Sequence, residues 1–223
     1  MMIGVQNAVL GMQTTDEELV ALSTAGDAES FNTLIARWER PIYALAYRVL
    51  GREEDARDIC QETFLRAFRG IKGFKGQAKF SSWLYRIALN LCRDWIRRER
   101  RSPKVTTLDT ETEAAPADDR TESAESVTVR RDLGRLITQA MATLTEEQRT
   151  TIVLKEYHGL TFQEISDLQG CPLSTVKTRL YQGLSTLRRQ LRRSGVDGPA
   201  SLAGVPATSL MARSSRKMVN LDR

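Results

Sequence analysis

Apolar positions recur every three or four residues through two stretches, 15–101 and 127–193, and nowhere alternate at period two for long enough to make a strand. An all-α fold follows. In the first stretch Thr15 and Glu18 form a capping box, Leu19 and Leu22 face inward, and Gly26 ends the helix. Asp27 caps a longer helix whose apolar stripe is Phe31, Leu34, Ile35, Trp38, Ile42, Leu45 and Val49, with Pro41 a candidate kink and Gly51 its stop. A third helix opens on Glu53-Glu54-Asp55, a run that suits the positive end of a helix dipole. Its spacing turns Ala56, Ile59, Cys60, Thr63, Phe64, Ala67 and Phe68 toward the core. After a basic loop punctuated by Gly70, Gly73 and Gly76, a fourth helix starts at Ser81 or Ser82 and buries Leu84, Ile87, Ala88 and Leu91.

The second stretch begins with the stripe Leu133, Leu136, Ile137, Ala140 and Met141. Thr145 with Gln148 and Thr161 with Glu164 make two further capping boxes, for helices that end near His158-Gly159 and at Gly170. Ser174 or Thr175 then caps a last helix reaching about Arg193. The last two helices form a helix-turn-helix pattern, in which Ile165 and Leu168 pack on Val176 and Leu180. Lys177, Thr178, Arg179, Tyr181 and Gln182 are left outward, where a recognition helix meets base edges and phosphates.

Between the stretches, residues 102–126 are rich in Thr, Ala, Ser and acids without apolar periodicity. Such a segment buries too little apolar surface to offset its ordering entropy, so it reads as a flexible acidic linker. Residues 1–14 and 194–223 read as a disordered N-terminus and tail. The expected organisation is two small helical domains, 15–101 and 127–193, joined by that linker.

Composition narrows the function. No apolar run approaches the roughly 18 residues of a membrane span, and the start lacks the charged segment of a signal peptide, so a cytoplasmic protein is expected. Cys60, Cys92 and Cys171 fall in no metal-ligand pattern and His158 is the sole histidine, which argues against a metal site, a cofactor or His-based catalysis. The net charge of +5 suggests an anionic partner only through its distribution. Acids dominate from Asp16 to Glu62, bases dominate from Arg66 to Arg101, and the stretch from Lys177 to Arg193 holds no acid.

Three surfaces result. On the fourth helix Trp83, Arg86, Asn90, Arg93 and Arg97 share one face, and Phe74, Lys75 and Lys79 stand in the loop before it. Guanidiniums, an amide and aromatics together suit exposed bases and their phosphates, although Trp83 itself reads better as a packing residue. On the third helix Asp58, Gln61 and Glu62 make an acidic patch that DNA would repel and a basic protein would accept.

The runs Asp58-Ile59-Cys60-Gln61-Glu62-Thr63-Phe64, Phe74-Lys75-Gly76 and Phe80 to Asn90 resemble region 2 of extracytoplasmic-function sigma factors. Leu144 to Arg149, Gly159 to Ile165 and Cys171 to Leu180 resemble region 4 of the same family. The resemblance implies a sigma factor that binds core RNA polymerase and directs promoter-specific initiation, in a stress or envelope response. It assigns Asp58, Gln61 and Glu62 to the polymerase clamp, and Asn90 with the Phe74–Lys79 loop to a base flipped from the minus-ten element. With these go Arg86, Arg93 and Arg97. Ser174, Lys177, Thr178, Arg179 and Tyr181 fall to the minus-thirty-five element, as does Gln182, which stands where many members carry a base. The resemblance further implies an anti-sigma factor as regulator, with no membrane contact of the chain's own. Two rival readings are an ordinary helix-turn-helix regulator, which gives the acidic patch no purpose, and a site-specific recombinase, for which the first stretch supplies no nucleophile.

Overall fold

The computed structural model describes residues 14–76, 78–101 and 134–195. The expected N-terminal segment, the linker and all of the tail beyond Gly195 lie outside these residues. Among the described residues every regular element is helical. The first module comprises α1 (Asp16–Thr24), α2 (Ala28–Leu50), α3 (Glu53–Gly70) and α4 (Phe80–Arg101). The second comprises α5 (134–142), α6 (Glu146–Ile152), α7 (Phe162–Gln169) and α8 (Leu173–Arg193).

The punctuation follows local hydrogen bonding. All three capping boxes form, with the Thr15, Thr145 and Thr161 hydroxyls accepting from the amides of Glu18, Gln148 and Glu164. Asp27 caps α2, accepting from the Glu29 and Ser30 amides, which together with the Ser30 hydroxyl hold its carboxyl below the usual range. Gly51 and Gly170 end α2 and α7 with φ of 78° and 62°, a left-handed conformation that a side chain disfavours. The helix α2 continues across Pro41.

Two starts differ from the sequence expectation. Phe80 is already helical and buried, so α4 begins a residue early. Pro172, rather than Ser174 or Thr175, stands at the head of α8, where its carbonyl accepts from the amides of Thr175 and Val176. Proline fits there because its missing N–H would have no partner in the first turn. Beyond α6 the chain widens into a π-helical turn, Val153–Tyr157, before the Gly159 turn.

Each indole N–H in the first module that reaches a partner ties one helix to another. Trp38 of α2 donates to Asp16 of α1 at 2.8 Å, and Trp95 of α4 donates to Asp55 of α3 at 2.9 Å. The core between these ties includes Leu34, Ile42, Leu45, Ala56, Leu84 and Ala88. Leu22 and Phe68, expected inside, face outward with 48% and 58% of their surface exposed. The short α1 buries Leu19, Val20 and Ser23 instead, and Phe68 rests edge-on against Phe31 with centroids 5.2 Å apart. Both residues lie at the margin of their stripes, where periodicity alone does not fix the width of the buried face.

The modules touch. Arg149 of α6 sends Nη1 to the Val49 carbonyl at 2.8 Å, and its other nitrogens donate to the carbonyls of Met141, Ala142 and Leu144. Arg48 lies over the Tyr157 ring at 4.2 Å. Tyr85 Oη shares a hydrogen bond with His158 Nδ1 at 3.0 Å, their rings meeting edge-on. Burial with Arg48 nearby drives the His158 pKa down to about 4, and burial pushes the Tyr85 phenol up to about 12. His158 Nε2 is buried with no hydrogen-bond partner, so a proton there would be unsolvated.

Candidate nucleic-acid interface

Loop and face of α4 are set by an aromatic cluster. Ile71–Gly73 makes one 3₁₀ turn, after which Phe74 packs on Trp83 at 5.1 Å and on Phe80 at 6.2 Å between centroids. Trp83 is half-buried here, in keeping with a packing role, and passes so close to Gly70 that a Cβ there would sit 3.2 Å from its ring. Phe74 therefore anchors the loop, while Lys75 and Lys79 remain exposed beside it.

Beyond the cluster, Arg86, Asn90, Arg93 and Arg97 line one face of α4 over ~16 Å, at the ~1.5 Å rise of a helix. Arg93 donates to the Asn90 side-chain carbonyl at 3.2 Å, which orients the amide. Arg97 is 3.8 Å from Asp94, an exposed pair of small energetic weight. Arg86 and Lys79, though exposed, each reach the second module. Lys79 pairs with Glu164 of α7 at 3.1 Å, and Arg86 donates to the Asp167 carbonyl at 3.4 Å.

The turn between α7 and α8 is built around Cys171. Ser166 donates to the Cys171 carbonyl at 2.6 Å, and the Gln169 amide reaches back to the Thr151 hydroxyl at 2.8 Å. Ile165, Leu168, Val176 and Leu180 are buried between the helices, as the helix-turn-helix pattern requires. Ser174, Lys177, Thr178, Tyr181 and Gln182 are exposed on the outer face of α8. Arg179 departs from expectation. Its guanidinium turns back to Gln169 Oε1 at 2.8 Å and to Cys171 Sγ at 3.3 Å, bracing the turn instead of projecting outward. At ~100° per residue Arg179 lies nearer the buried edge than Thr178 does, which the sequence pattern underweighted.

The acidic patch of α3 is separate from both basic faces. Asp58 and Gln61 are exposed and Glu62 is half-buried, pairing with Arg66 at 2.7 Å along the helix. Leu65 extends the same row and is 43% exposed, so the patch has an apolar end that charge analysis missed. Burial pushes the Cys60 and Cys92 thiols up to about 11 and about 12, which leaves both as protonated packing groups. Among the described residues no group of His, Cys, Asp or Glu is placed to hold a metal, and no helix is long and apolar enough to cross a membrane.

A helical module with a basic, amide-bearing face and an acidic one, followed by a helix-turn-helix, defines a two-module DNA-directed transcription factor. Known families agree in both halves. Residues 34–102 match the family model of Sigma-70 region 2, and residues 134–187 match that of Sigma-70, region 4. The ECF RNA polymerase sigma factor SigW of Bacillus subtilis is 37% identical over 171 residues, 75% of this chain and 91% of its own. The RNA polymerase sigma-H factor of Pseudomonas aeruginosa is 32% identical over 184 residues, 81% of this chain and 95% of its own. In fold, the chain is similar to the sigma factor RpoE of Bartonella quintana, solved in complex with the anti-sigma factor NepR. The TM-score is 0.60 at 20% identity, over 77% of this chain and all of that one. The chain belongs to the extracytoplasmic-function sigma factors, initiation factors that direct RNA polymerase to specific promoters.

Proposed function

We propose that the three surfaces divide the work of initiation among named residues. Asp58, Gln61 and Glu62 dock the protein on core RNA polymerase. Asn90, oriented by Arg93, takes an unpaired base of the minus-ten element, while Lys75, Lys79, Arg86 and Arg97 hold its backbone and Phe74 fixes the loop. Ser174, Lys177, Thr178, Tyr181 and Gln182 read the minus-thirty-five element in the major groove, with Arg179 bracing the turn that presents them. The observation that carries this reading is the segregation of charge. A carboxylate row on α3 stands apart from a face of α4 and a face of α8 that offer cations and amides. Carboxylates favour a basic protein partner, and the mixed cation–amide faces favour phosphate and base edges.

The domains are residues 15–101 and 127–193, with 102–126 as the linker that lets them separate on polymerase. The protein works in the cytoplasm, catalyses no reaction itself, serves a stress or envelope response, and is held in check by an anti-sigma factor. RpoE of Bartonella quintana, solved with NepR, supports the last point by likeness of fold.

Run-off transcription with core polymerase, this protein and templates selected from a promoter library tests the reading. Defined start sites that vanish with Asn90→Ala or Lys177→Glu support it. Defined start sites that survive both changes refute the residue assignments.

A further inference from the structure

The outward face of α8 does not stop at Gln182. At ~100° of rotation per residue, Ser185, Arg188, Arg189, Arg192 and Arg193 fall on the side of Lys177, Thr178, Tyr181 and Gln182. Opposite them lie the buried Val176, Leu180, Gly183, Leu187 and Leu191. The five residues are exposed. The helix carries no acidic residue from Leu173 to Arg193, and none of the four guanidiniums pairs with a carboxylate among the described residues. Elsewhere the arrangement differs, since Arg37, Arg57 and Arg66 each meet an acid. Four unneutralised arginines within six residues repel one another, and a bound polyanion relieves that repulsion.

Their place along the helix selects the polyanion. At a rise of ~1.5 Å per residue, Arg188 to Arg193 lie ~16–24 Å beyond Lys177. A major groove is only about 12 Å wide. A rigid helix seated by its N-terminal half therefore leaves the groove before Arg188 and passes over a phosphate backbone. Arg188 with Arg192, and Arg189 with Arg193, stand one turn apart as two parallel rails facing that backbone.

We propose that the C-terminal third of α8 is a phosphate clamp on the duplex flanking the upstream element, separate from the base-reading half of the same helix. The proposal rests on the assignment of α8 to that element. The clamp supplies affinity without sequence preference and makes binding steeply dependent on salt. An acidic protein surface would also attract these arginines. DNA is favoured because the face is continuous with the reading residues, so seating one half fixes where the other lies.

The test uses holoenzyme assembled from core polymerase and full-length protein. The probes are a duplex recovered by that holoenzyme from a randomised pool and a scrambled duplex of equal length. The variant is Arg188→Gln/Arg189→Gln/Arg192→Gln/Arg193→Gln, all at exposed positions. With one phosphate neutralised by each rail, the variant lowers the slope of log K against log salt by about 1.8. The advantage of the wild type should then shrink about 3.5-fold when salt doubles, and both duplexes should lose affinity in equal proportion. An unchanged slope and affinity overturn the clamp, as does a variant that loses core polymerase instead of DNA, the outcome for an acidic protein partner. If the α8 assignment itself is at fault, the preference for the recovered duplex is the same with Lys177→Glu as in the wild type. Failure of the clamp alone leaves a preference that Lys177→Glu abolishes.

Discussion

His158 offers a direct measure of how firmly the two modules are closed on each other. It is the only histidine of the chain, so between pH 7.5 and 5.5 no other imidazole titrates. Burial at the seam, with the Arg48 charge adding to it, lowers its pKa from 6.5 to about 4. The depressed value means that any state exposing His158 binds a proton which the closed state excludes. Stability is therefore fully present above pH 6.5 and is lost as pH falls toward about 4. With those two values, lowering pH from 7.5 to 5.5 costs about 1.3 kcal/mol, and the slope near pH 5.5 is about 1.2 kcal/mol per pH unit. Tyr85 stays a neutral phenol throughout, since its pKa is about 12.

Urea unfolding at the two pH values, followed by tryptophan fluorescence, should show this loss in the wild type and little of it in His158→Gln. Carboxylates whose pKa is raised by burial, Asp55 among them, contribute equally to both proteins and cancel in the difference. A loss in the wild type that exceeds that of the variant by less than about 0.3 kcal/mol would refute the closed seam.

Other substitutions probe the remaining surfaces. Arg179→Ala should destabilise the second module by about 1 kcal/mol in thermal melts, because a charge-assisted bond to Gln169 is lost. It should weaken binding to matched and scrambled duplexes alike; a loss confined to one base pair would return Arg179 to base reading. Asp58→Arg should lower retention of core polymerase in a pull-down at least tenfold with an unchanged helical melt, and normal retention would remove the α3 patch from the interface. Gly183→Val should cost about 1–3 kcal/mol by overpacking, since even a Cβ there would lie 2.8 Å from Ile152 Cδ1. A melting temperature equal to that of the wild type would show that the Ile152 side chain gives way.

The helices, their caps and the helix-turn-helix were legible in the sequence because each is encoded within a few residues. Thr161 and Glu164 close a capping box three positions apart, and Gly170 ends α7 by its own backbone freedom. The chemistry of the faces was legible for the same reason, since Asp58, Gln61 and Glu62, or Arg86, Asn90 and Arg93, are brought together by one helical repeat. Side chains at the edge of a stripe were not, and Leu22, Phe68 and Arg179 settled according to neighbours on other elements.

The seam was decided by tertiary structure alone. Arg149 meets the Val49 carbonyl across 100 positions of chain, Tyr85 meets His158 across 73, and Lys79 meets Glu164 across 85. No periodicity spans such separations, because these contacts depend on how two finished modules set their surfaces together. Sequence determined the helices and the charged and polar faces they carry. Packing determined that Lys79 and Arg86 of the first module reach Glu164 and Asp167 of the second, because such contacts depend on what lies opposite a side chain.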